Sequence, residues 1–319
     1  FGALPAYSNR GASITYDDLE QSSRNFAAYL QKSLGLHKGD RVAIMMPNLL
    51  QYPVALFGVL RAGLVVVNIN PQYTADELER RLKDCGALVI VVLENFAHTL
   101  QKVLDCDPPL NLTVITTEVG DMFPVVKEML TNVVVKYVKK MVPKWKIAHT
   151  IEFNAALRAG HAQALDDVPL NHDDMAFLQY TGGTTGVAKG AVLTHGNMVA
   201  NLQQLAAWIA HDLLDGKEVF VCPLPLYHVY ALNSCLVFMQ IGAHTLLVTD
   251  PRDMHALIHD LKAHPFTAII GVNTLYRALL DAPECAEVDT RSLKVANAGA
   301  MAVQRSVAER WKKATGVPI

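Results

Sequence analysis

Short apolar runs alternate along the chain with longer amphipathic segments. The short runs are rich in Val, Ile and Leu and do not alternate with polar residues, which is typical of strands buried on both faces of a parallel sheet. This pattern predicts strands over residues 41–46, 64–69, 87–93 and 112–117 in the first half of the chain. In the second half it predicts strands over 175–180, 191–193, 218–223, 244–249, 266–272 and 293–297.

Capping residues mark several helices between these strands. Thr15 and Asp18 form an N-cap signal for a first helix. Thr74 opens a helix over 75–85, and Gly86 closes it because glycine readily takes the left-handed conformation just past a helix end. Helical periodicity predicts further helices over 197–211, 229–240, 254–263, 274–281 and 303–315.

The succession of strand, helix and strand occurs in both halves of the chain. It predicts an α/β fold with two α/β subdomains, each with a mostly parallel sheet flanked by helices. The boundary is expected in the polar stretch over 159–174, so that the first subdomain covers 1–165 and the second covers 166–319. The second subdomain is expected to be incomplete at its C-terminal end.

Composition excludes several classes of protein. Hydrophobic residues make up 51% of the 319 residues, so the chain is expected to have a large core. Charged residues make up 18%, below the ~25% typical of soluble domains, which argues against disorder. The 28 Lys and Arg against 30 Asp and Glu give a net charge of −2, which argues against a nucleic-acid partner.

The cysteines and the apolar stretches favour a cytoplasmic protein. The five cysteines have no C-x-x-C spacing and an odd count, which indicates a reducing compartment without disulfides or a zinc site. The chain begins at Phe1 without a charged and then apolar leader, so no signal peptide is expected in it. Arg61 interrupts the longest apolar stretch, over 54–68, and a membrane span needs ~20 apolar residues.

The segment from Tyr180 to Gly190, YTGGTTGVAKG, concentrates glycine, threonine and one lysine between two apolar strands. Glycine lets the backbone approach a ligand closely, consecutive N–H groups can form an anion-binding nest, and Lys189 adds a positive charge. These properties suit a polyphosphate. The segment is not a Walker A loop, because Gly190 follows the lysine and a strand comes next. A glycine-rich hairpin turn with an exposed lysine is the alternative on residue types alone.

The same segment, followed by AVLTHGN over 191–197, resembles the phosphate-loop signature of the adenylate-forming enzymes. These include acyl-CoA synthetases, firefly luciferase and the adenylation domains of peptide synthetases. PLPLYHVYAL over 223–232 and NAGAM over 297–301 match two further motifs in the expected order. The stretches over 39–63 and 70–79 resemble bacterial long-chain fatty acyl-CoA synthetases in particular. The resemblance covers essentially the whole chain and implies the large N-terminal domain of that fold.

The resemblance implies a reaction in two steps. A long-chain fatty acid attacks the α-phosphate of ATP to give acyl-adenylate and pyrophosphate, and coenzyme A then takes the acyl group. The residues expected to bind ATP are Thr181, Gly182, Gly183, Thr184, Thr185, Gly186, Lys189, Gly299, Ala300 and Met301. Lys189, Thr184 and His228 are also expected to act in catalysis. Mg2+ is expected to accompany the phosphates.

The resemblance also places His228 beside the carboxylate and the α-phosphate, where an imidazole could donate to the developing charge. A buried histidine bonded to a backbone carbonyl is the alternative. The residues expected to line the fatty acid channel are Tyr227, Tyr230, Val272, Asn273 and Thr274. Ordinary core packing is the alternative for each of them. His195 belongs to the signature, but a structural role is expected for it.

Three positions depart from the motifs of the family. Ala188 stands where many members have proline, which the bacterial fatty acyl group tolerates. Ala300 and Ala302 stand where a second glycine and a proline are common. The methyl group of Ala300 is therefore expected to crowd a nucleotide base.

The family's remaining motifs are expected beyond Ile319. They include a Tyr-Gly-x-Thr-Glu segment whose glutamate helps to hold magnesium, an aspartate for the ribose, and a C-terminal lid domain with a catalytic lysine. The chain is therefore expected to be an N-terminal portion that supplies no metal ligand and completes thioester formation weakly or not at all. The alternatives are a non-catalytic module that binds nucleotide or fatty acid, and a ligase for shorter or aromatic acids. A homodimer is expected by resemblance to similar enzymes.

The segment from Val133 to Lys146, VVVKYVKKMVPKWK, contains five lysines and no acidic residue. At helical spacing its apolar residues fall on one face, and Lys136, Lys139 and Lys140 fall on the other. A basic amphipathic helix of this kind can lie on an anionic bilayer, so peripheral contact with the inner face of the membrane is a hypothesis. A surface helix with its apolar stripe against the core is the alternative.

Overall fold

Two mostly parallel sheets flanked by helices organise the computed structural model, which describes residues 1–106, 109–181, 189–209 and 213–319. Its strands are β1 (Pro5–Asn9), β2 (Ala12–Thr15), β3 (Arg41–Met45), β4 (Val65–Asn68), β5 (Val89–Leu93), β6 (Thr113–Thr117), β7 (Ile151–Glu152), β8 (Met175–Thr181), β9 (Lys189–Thr194), β10 (Val219–Cys222), β11 (His244–Leu247), β12 (Ala268–Gly271) and β13 (Val295–Ala298). Every strand predicted from the sequence is present, which confirms the α/β fold.

Helices connect most of these strands. They are α1 (Tyr16–Lys32), α2 (Gln51–Arg61), α3 (Ala75–Cys85), α4 (Glu94–Leu104), α5 (Val125–Val133), α6 (Phe153–His161), α7 (His195–Ile209), α8 (Val229–Gln240), α9 (Met254–Ala263), α10 (Asn273–Asp281) and α11 (Arg305–Thr315). The helices predicted from periodicity are confirmed, and α3, α8 and α9 have the predicted bounds.

The first of two compact units, which we name the central unit, comprises Asp17–Met198. The strand order of its sheet is β7-β6-β5-β3-β4-β8-β9. Neighbouring strands are parallel except for β8 and β9, which form an antiparallel pair at one edge. β4 and β5 are buried along their whole length, as the unbroken apolar runs predicted.

The second unit, which we name the split unit, combines Phe1–Tyr16 with Val199–Ile319. The strand order of its sheet is β13-β12-β10-β11-β1-β2. β1 is parallel to β11, and β2 returns antiparallel along the edge. The side chain of Asn9 donates to the carbonyl of Leu247 at 2.7 Å, which attaches the N-terminal hairpin to a strand from the last third of the chain.

The sheets divide the chain differently from the predicted boundary at residue 165. β8 pairs with β4, so the central unit continues to Met198, and the N-terminal hairpin belongs to the split unit. The stretch over 159–174 is polar because it crosses the surface of the central unit, where Lys38 bonds to Asp174 at 2.7 Å. The pairing of strands that are distant in sequence cannot be recognised from the local sequence. The polar stretch therefore gave a boundary that differs from the one between the two units.

The local caps of α3 are confirmed. Thr74 Oγ1 accepts the N–H of Glu77 at 3.3 Å, and the Glu77 carboxylate accepts the N–H of Thr74 at 2.9 Å. These two bonds form the reciprocal pair of a capping box. Gly86 ends the helix in the left-handed conformation with φ of +58°. Such signals could be recognised from sequence because donor and acceptor are three residues apart.

The basic segment from Val133 to Lys146 is not one continuous helix. α5 ends at Val133, a single π-helical turn spans Val134–Val138, and Lys140 has a φ of +50°. Lys136 does not lie on a solvated lysine face, because its ammonium group lies 3.1 Å from Glu94 and 3.2 Å from Glu118. The wider π turn changes the helical spacing on which the prediction relied. In the described part of the chain, no helix is long and apolar enough to cross a membrane.

Candidate active site

The hairpin of β8 and β9 carries the predicted phosphate loop. Thr181 ends β8 and Lys189 begins β9, and the two exposed residues are direct partners in the antiparallel ladder. Opposed residues in such a pair share a face, so a hydroxyl and an ammonium group lie on one face of the hairpin, next to its loop. The loop itself, residues 182–188, lies outside the described residues, and so do the predicted Gly182, Gly183, Thr184, Thr185 and Gly186.

Tyr180 packs against Gly190 at the base of this loop. A β-carbon on Gly190 would lie 3.2 Å from Cζ of Tyr180, tighter than ordinary van der Waals contact. The Tyr180 side chain is buried, and its hydroxyl donates to the carboxylate of Asp84 at the end of α3. Burial is the main cause that raises the pKa of Tyr180, so the phenol is protonated at neutral pH. The hairpin is therefore attached to α3 as well as to β4.

A buried polar network lies at the carboxyl ends of β4 and β8. The hydroxyl of Tyr52 donates to Asn68 Oδ1 at 2.6 Å, and Asn68 Nδ2 donates to Gln179 Oε1 at 3.0 Å. All three side chains are buried. Polar groups in apolar surroundings are costly unless they are bonded, so these bonds hold the two strands in one arrangement. Thr181 lies two residues after Gln179 on β8, so its backbone is held in place by the same bonds.

The residues after the hairpin form the cap of α7. The Thr194 N–H donates to Asn197 Oδ1 at 3.1 Å, and the Asn197 N–H donates to Thr194 Oγ1 at 3.1 Å. A β-carbon on Gly196 would lie 2.9 Å from the carbonyl oxygen of His172, so glycine is needed there. Burial lowers the pKa of His195, which begins the helix. The Thr, Gly and Asn of the signature thus serve to start a helix.

The remaining predicted site residues lie at one edge of the sheet in the split unit. β10, β12 and β13 are parallel, so their carboxyl ends lie at the same edge. His228 follows β10, Val272 follows β12 and Gly299 follows β13. The N–H of Gly299 donates to the carbonyl of Gly271 at 3.2 Å, which closes the edge between two strands. The carboxyl edge is where open α/β sheets bind ligands.

His228 occupies the N-cap position of α8 and is exposed. Its imidazole makes no hydrogen bond within the residues that the structure describes, so the alternative of a buried histidine on a backbone carbonyl does not apply. Although the residue is exposed, its ring is partly desolvated, and this lowers the pKa of His228. The ring is therefore neutral at physiological pH. The Tyr227 ring lies beside it, with 4.9 Å between the ring centroids.

Tyr230 packs closely against Gly299. A β-carbon on Gly299 would lie 2.7 Å from Cζ of Tyr230, so no side chain fits there without movement of the ring. The Tyr230 hydroxyl is buried and has no hydrogen-bond partner in the described part of the chain. Burial raises the pKa of Tyr230 to about 12. A buried hydroxyl without a partner is uncommon, and this one lies beside the predicted nucleotide segment.

The two residues after Gly299 are exposed, and one of them is strained. Ala300 has a φ of +67°, in the left-handed region that costs a residue with a β-carbon roughly 1–2 kcal/mol. Met301 is 59% exposed. The sequence predicted that the methyl group of Ala300 crowds a nucleotide base. The structure adds a different feature, a strained backbone at Ala300, which the residue type alone did not indicate.

The three predicted substrate residues after β12 have different surroundings. Asn273 is buried, and its Oδ1 accepts the N–H of Gln304 at 2.9 Å, so it joins the start of α10 to the chain before α11. Val272 packs against the hydrophobic core of the split unit. Thr274 is exposed. Of the three, the Thr274 side chain is the one open to a ligand.

Sequence reasoning missed the residues that support the hairpin, namely Tyr52, Asn68, Asp84 and Gln179. Asn68 and Gln179 carried a usable signal, because each is an amide at the carboxyl end of an otherwise apolar strand. A buried amide requires a partner, and parallel strands end at a common edge. Tyr52 and Asp84 gave no such signal, since they reach these groups from helices.

The donors at the hairpin fit an anion rather than a metal. A hydroxyl and an ammonium group suit phosphate oxygens, to which charge-assisted hydrogen bonds are strong. Within residues 1–106, 109–181, 189–209 and 213–319, no group of three or more His, Cys, Asp or Glu could hold a metal ion. The described end of the hairpin thus presents two donors that suit an anion.

Comparison with known proteins defines the class of this protein. The family of AMP-binding enzymes matches residues 1–319. The chain belongs to this family. The resemblance noted from the loop signature is therefore confirmed.

Curated relatives include several fatty acid ligases. The long-chain-fatty-acid–CoA ligase of Escherichia coli O157:H7 is 54% identical over 98% of this chain, and that of Haemophilus influenzae is 50% identical over 99%. The long-chain-fatty-acid–CoA ligase of Bacillus subtilis is 34% identical over 98% of the chain. The chain spans 55–56% of the length of these relatives.

Solved structures share the fold. The anthranilate CoA ligase AuaEII in complex with anthranoyl-AMP has a TM-score of 0.81 and 20% identity, with 100% of this chain and 56% of that chain covered. The N-terminal domain of FACL13 from Mycobacterium tuberculosis has a TM-score of 0.79 and 21% identity, with 98% and 70% covered. The predicted fold, the N-terminal domain of the adenylate-forming enzymes, is confirmed.

Proposed function

We propose that this chain is the N-terminal part of an AMP-forming long-chain fatty acid–CoA ligase. The observation that carries the proposal is the pairing of Lys189 with Thr181 at the loop end of the β8–β9 hairpin. The hairpin is fixed by buried hydrogen bonds, and the family's phosphate loop connects its strands. The 54% identity with a long-chain-fatty-acid–CoA ligase over nearly the whole chain supports the choice of a long-chain fatty acid as substrate.

The proposed first step joins two anions. A carboxylate oxygen of the fatty acid attacks the α-phosphorus of ATP, the bond from that phosphorus to the bridging oxygen of the β-phosphate breaks, and pyrophosphate leaves with the electron pair. Because attacker and target are both negatively charged, the protein must position them and neutralise charge. The Lys189 ammonium and the Thr181 hydroxyl do this at the phosphates, together with the loop amides and Thr184.

Residues of the split unit act on the other parts of the substrates in this proposal. The neutral imidazole of His228 donates a hydrogen bond to the oxygen that gains charge during the attack. Gly299, Ala300 and Met301 contact the nucleotide, and the apolar surfaces of Tyr227, Tyr230 and Val272 contact the acyl chain. Thr274 offers a hydroxyl, whereas Asn273 holds the backbone at Gln304.

In the second step the thiolate of coenzyme A attacks the acyl carbonyl carbon and forms the thioester bond, while the bond from that carbon to the phosphate oxygen breaks and AMP leaves. Mg2+ is expected to arrive with ATP and to neutralise phosphate charge, which is the chemistry that it supplies with nucleotides.

The test is exchange of labelled pyrophosphate into ATP, measured with and without palmitate. We expect exchange that requires palmitate and that falls at least tenfold in the Lys189→Ala variant. ATP binding without any exchange would favour the non-catalytic binding module. Exchange that benzoate or a short-chain acid supports better than palmitate would favour a ligase for shorter or aromatic acids. A variant with Lys102→Ala, an exposed lysine on α4 of the central unit, serves as the control.

The cytoplasmic location and the homodimer expected from the sequence also stay predictions. Fractionation of cells that produce the protein tests the first, and light scattering of the purified protein tests the second. Recovery of the protein in an extracellular fraction would contradict the location. A monomeric mass at every concentration would contradict the dimer.

A further inference from the structure

The segment from Val125 to Met141 presents its apolar side to solvent. Its exposed apolar residues recur three or four positions apart along α5 and the π-helical turn, the spacing of a single helical stripe. We name this stripe the apolar face, and its six most exposed members are Val125, Val126, Met129, Leu130, Tyr137 and Val138. Val125 is 79% exposed, and Val126 and Val138 are each 70% exposed.

The polar side of the same segment faces the rest of the central unit. Lys136 forms ion pairs with Glu94 and Glu118, and Glu94 is buried. Asn132 Oδ1 accepts the N–H of Gly120 at 2.8 Å. A β-carbon on Gly120 would lie 2.9 Å from the carbonyl oxygen of Glu128, so the segment lies tightly on this loop. Specific polar contacts therefore fix the orientation.

This arrangement reverses that of an ordinary surface helix. Such a helix packs its apolar stripe on the core and turns its charged side to water. Contiguous exposed apolar surface on a soluble protein marks a site where another molecule binds. The sequence alternative, an apolar stripe against the core, is contradicted by the exposure of the stripe and by the inward position of Lys136.

Positive charge surrounds the apolar face. Residues 125–146 contain six lysines and one glutamate, in a chain whose net charge is −2. Lys136 is the one that turns inward. Lys139, Lys140 and Lys144 are exposed, and no carboxylate of the described residues lies within ion-pair distance of them. The apolar face is thus bordered by cations on a chain that is slightly anionic as a whole.

We propose that the apolar face docks on an anionic lipid surface. Valine, methionine and tyrosine side chains enter the interface, while the bordering lysines reach the lipid phosphates. A second copy of the chain fits less well, because a twofold contact between identical faces would bring the lysines of both copies together. The proposal concerns where the protein binds rather than its reaction. The sequence hypothesis placed the membrane contact on a face of lysines, whereas the structure favours the apolar face.

The first test is co-sedimentation with phosphatidylglycerol vesicles and with pure phosphatidylcholine vesicles. We expect binding to the anionic vesicles that weakens as salt is added. The double variant Lys139→Glu/Lys144→Glu should bind at least roughly thirtyfold more weakly, since the loss of two lysine charges alone corresponds to about 1 kcal/mol each. The control is Lys312→Glu/Lys313→Glu, an exposed pair on α11 of the split unit, which should bind as the parent does.

The second test changes the apolar face itself. The triple variant Val126→Ser/Met129→Ser/Val138→Ser should lose roughly tenfold or more in vesicle affinity, because each side chain no longer buries apolar surface in the interface. Its melting temperature should not fall, since these side chains are exposed in the fold. The matched control is Leu88→Ser/Leu170→Ser, two exposed leucines of the central unit away from this face.

The outcomes separate this proposal from the proposed function. Unchanged vesicle affinity in both the lysine and the serine variants would overturn it. So would a shift from dimer to monomer in the serine variant with vesicle binding unaltered, because the occupant would then be a second copy. ATP affinity should be the same in all these variants. A protein that binds vesicles through this face but does not bind ATP would contradict the proposed function and leave the docking surface supported.

Discussion

The central unit and the split unit each support their own predicted site residues, and they do so with different chemistry. In the central unit, hydrogen bonds between the side chains of Tyr52, Asn68 and Gln179 hold the strands that lead to the loop. In the split unit, tyrosine rings pack on glycines, with Tyr230 against Gly299 and Tyr276 against Gly271.

This difference decides how firmly each set of residues is held in place. A buried hydrogen-bonded network has few alternative arrangements, because every lost bond leaves a polar group in apolar surroundings. It suits a site that must hold charged donors in fixed positions for phosphate. Ring-to-glycine contacts contain no hydrogen bond, so a polar partner is not lost when the ring shifts. Polar substitutions should therefore cost more in the central unit than in the split unit.

The largest effect is expected for Asn68→Leu. The substitution removes two buried hydrogen bonds, to Tyr52 and to Gln179, and should lower the free energy of unfolding by about 2–4 kcal/mol. Urea denaturation measures the change. Tyr52→Phe removes one of the two bonds and should cost about half as much. Equal stability of Asn68→Leu and the parent would show that the network does not hold the central unit.

The dependence of stability on pH is a second expected difference between the two units. Burial lowers the pKa of His244 in the split unit to about 4, so the unfolded chain takes up this proton before the folded chain does. Stability from His244 is therefore complete above pH 6.5 and is lost as pH falls toward 4. The loss is on the order of 3 kcal/mol. His244→Gln should remove this acid sensitivity, as followed by thermal unfolding at several pH values.

Asp121 in the central unit should give the opposite slope. Burial raises the pKa of Asp121 to about 6, so the folded chain binds this proton more tightly than the unfolded chain. Its contribution is most favourable below about pH 4 and falls as pH rises to about 6, by roughly 2–3 kcal/mol. Asp121→Asn should flatten that part of the profile. A variant profile with the same slope as the parent would contradict the assignment.

A smaller effect is expected at Gly299. The β-carbon of Gly299→Ala would overlap the Tyr230 ring and should cost about 1–3 kcal/mol. Combining it with Tyr230→Leu should recover part of the loss, because the smaller side chain makes room. Calorimetric unfolding of the two single variants and the double variant measures the coupling. Additive losses would mean that the two residues do not share this contact.

The smallest effect is expected for Tyr230→Phe. The hydroxyl of Tyr230 is buried without a partner among the described residues, so its removal should change stability by less than about 0.5 kcal/mol or raise it slightly. A loss comparable to that of Tyr52→Phe would remove the contrast between the two units.

Local features of the fold were predictable, and long-range ones were not. The strands and the caps of α3 follow from residues close together in sequence, such as Thr74 with Glu77. The unit boundary was wrong because it depends on the pairing of β8 with β4 and of β1 with β11. The hydrophobic pattern of each strand does not determine which other strand it pairs with.

The candidate site shows the same division. The signature identified Lys189 and His228 as candidates, and in the structure Lys189 begins β9 and His228 is the N-cap of α8. The supporting contacts, such as Tyr180 with Asp84, require knowledge of which helix lies on which strand. The inward position of Lys136 was not predictable, because it depends on one π-helical turn and on Glu94 and Glu118 from other parts of the chain.

The central claim is that the β8–β9 hairpin binds the phosphates of ATP. Titration calorimetry with ATP tests it most directly, on the parent protein and on the Lys189→Ala, Thr184→Ala and Lys102→Ala variants. The account predicts affinity weakened roughly tenfold to a hundredfold by each of the first two substitutions, as expected for lost bonds to a charged ligand, and unchanged by the third. Equal ATP affinity in the parent, Lys189→Ala and Thr184→Ala would contradict it.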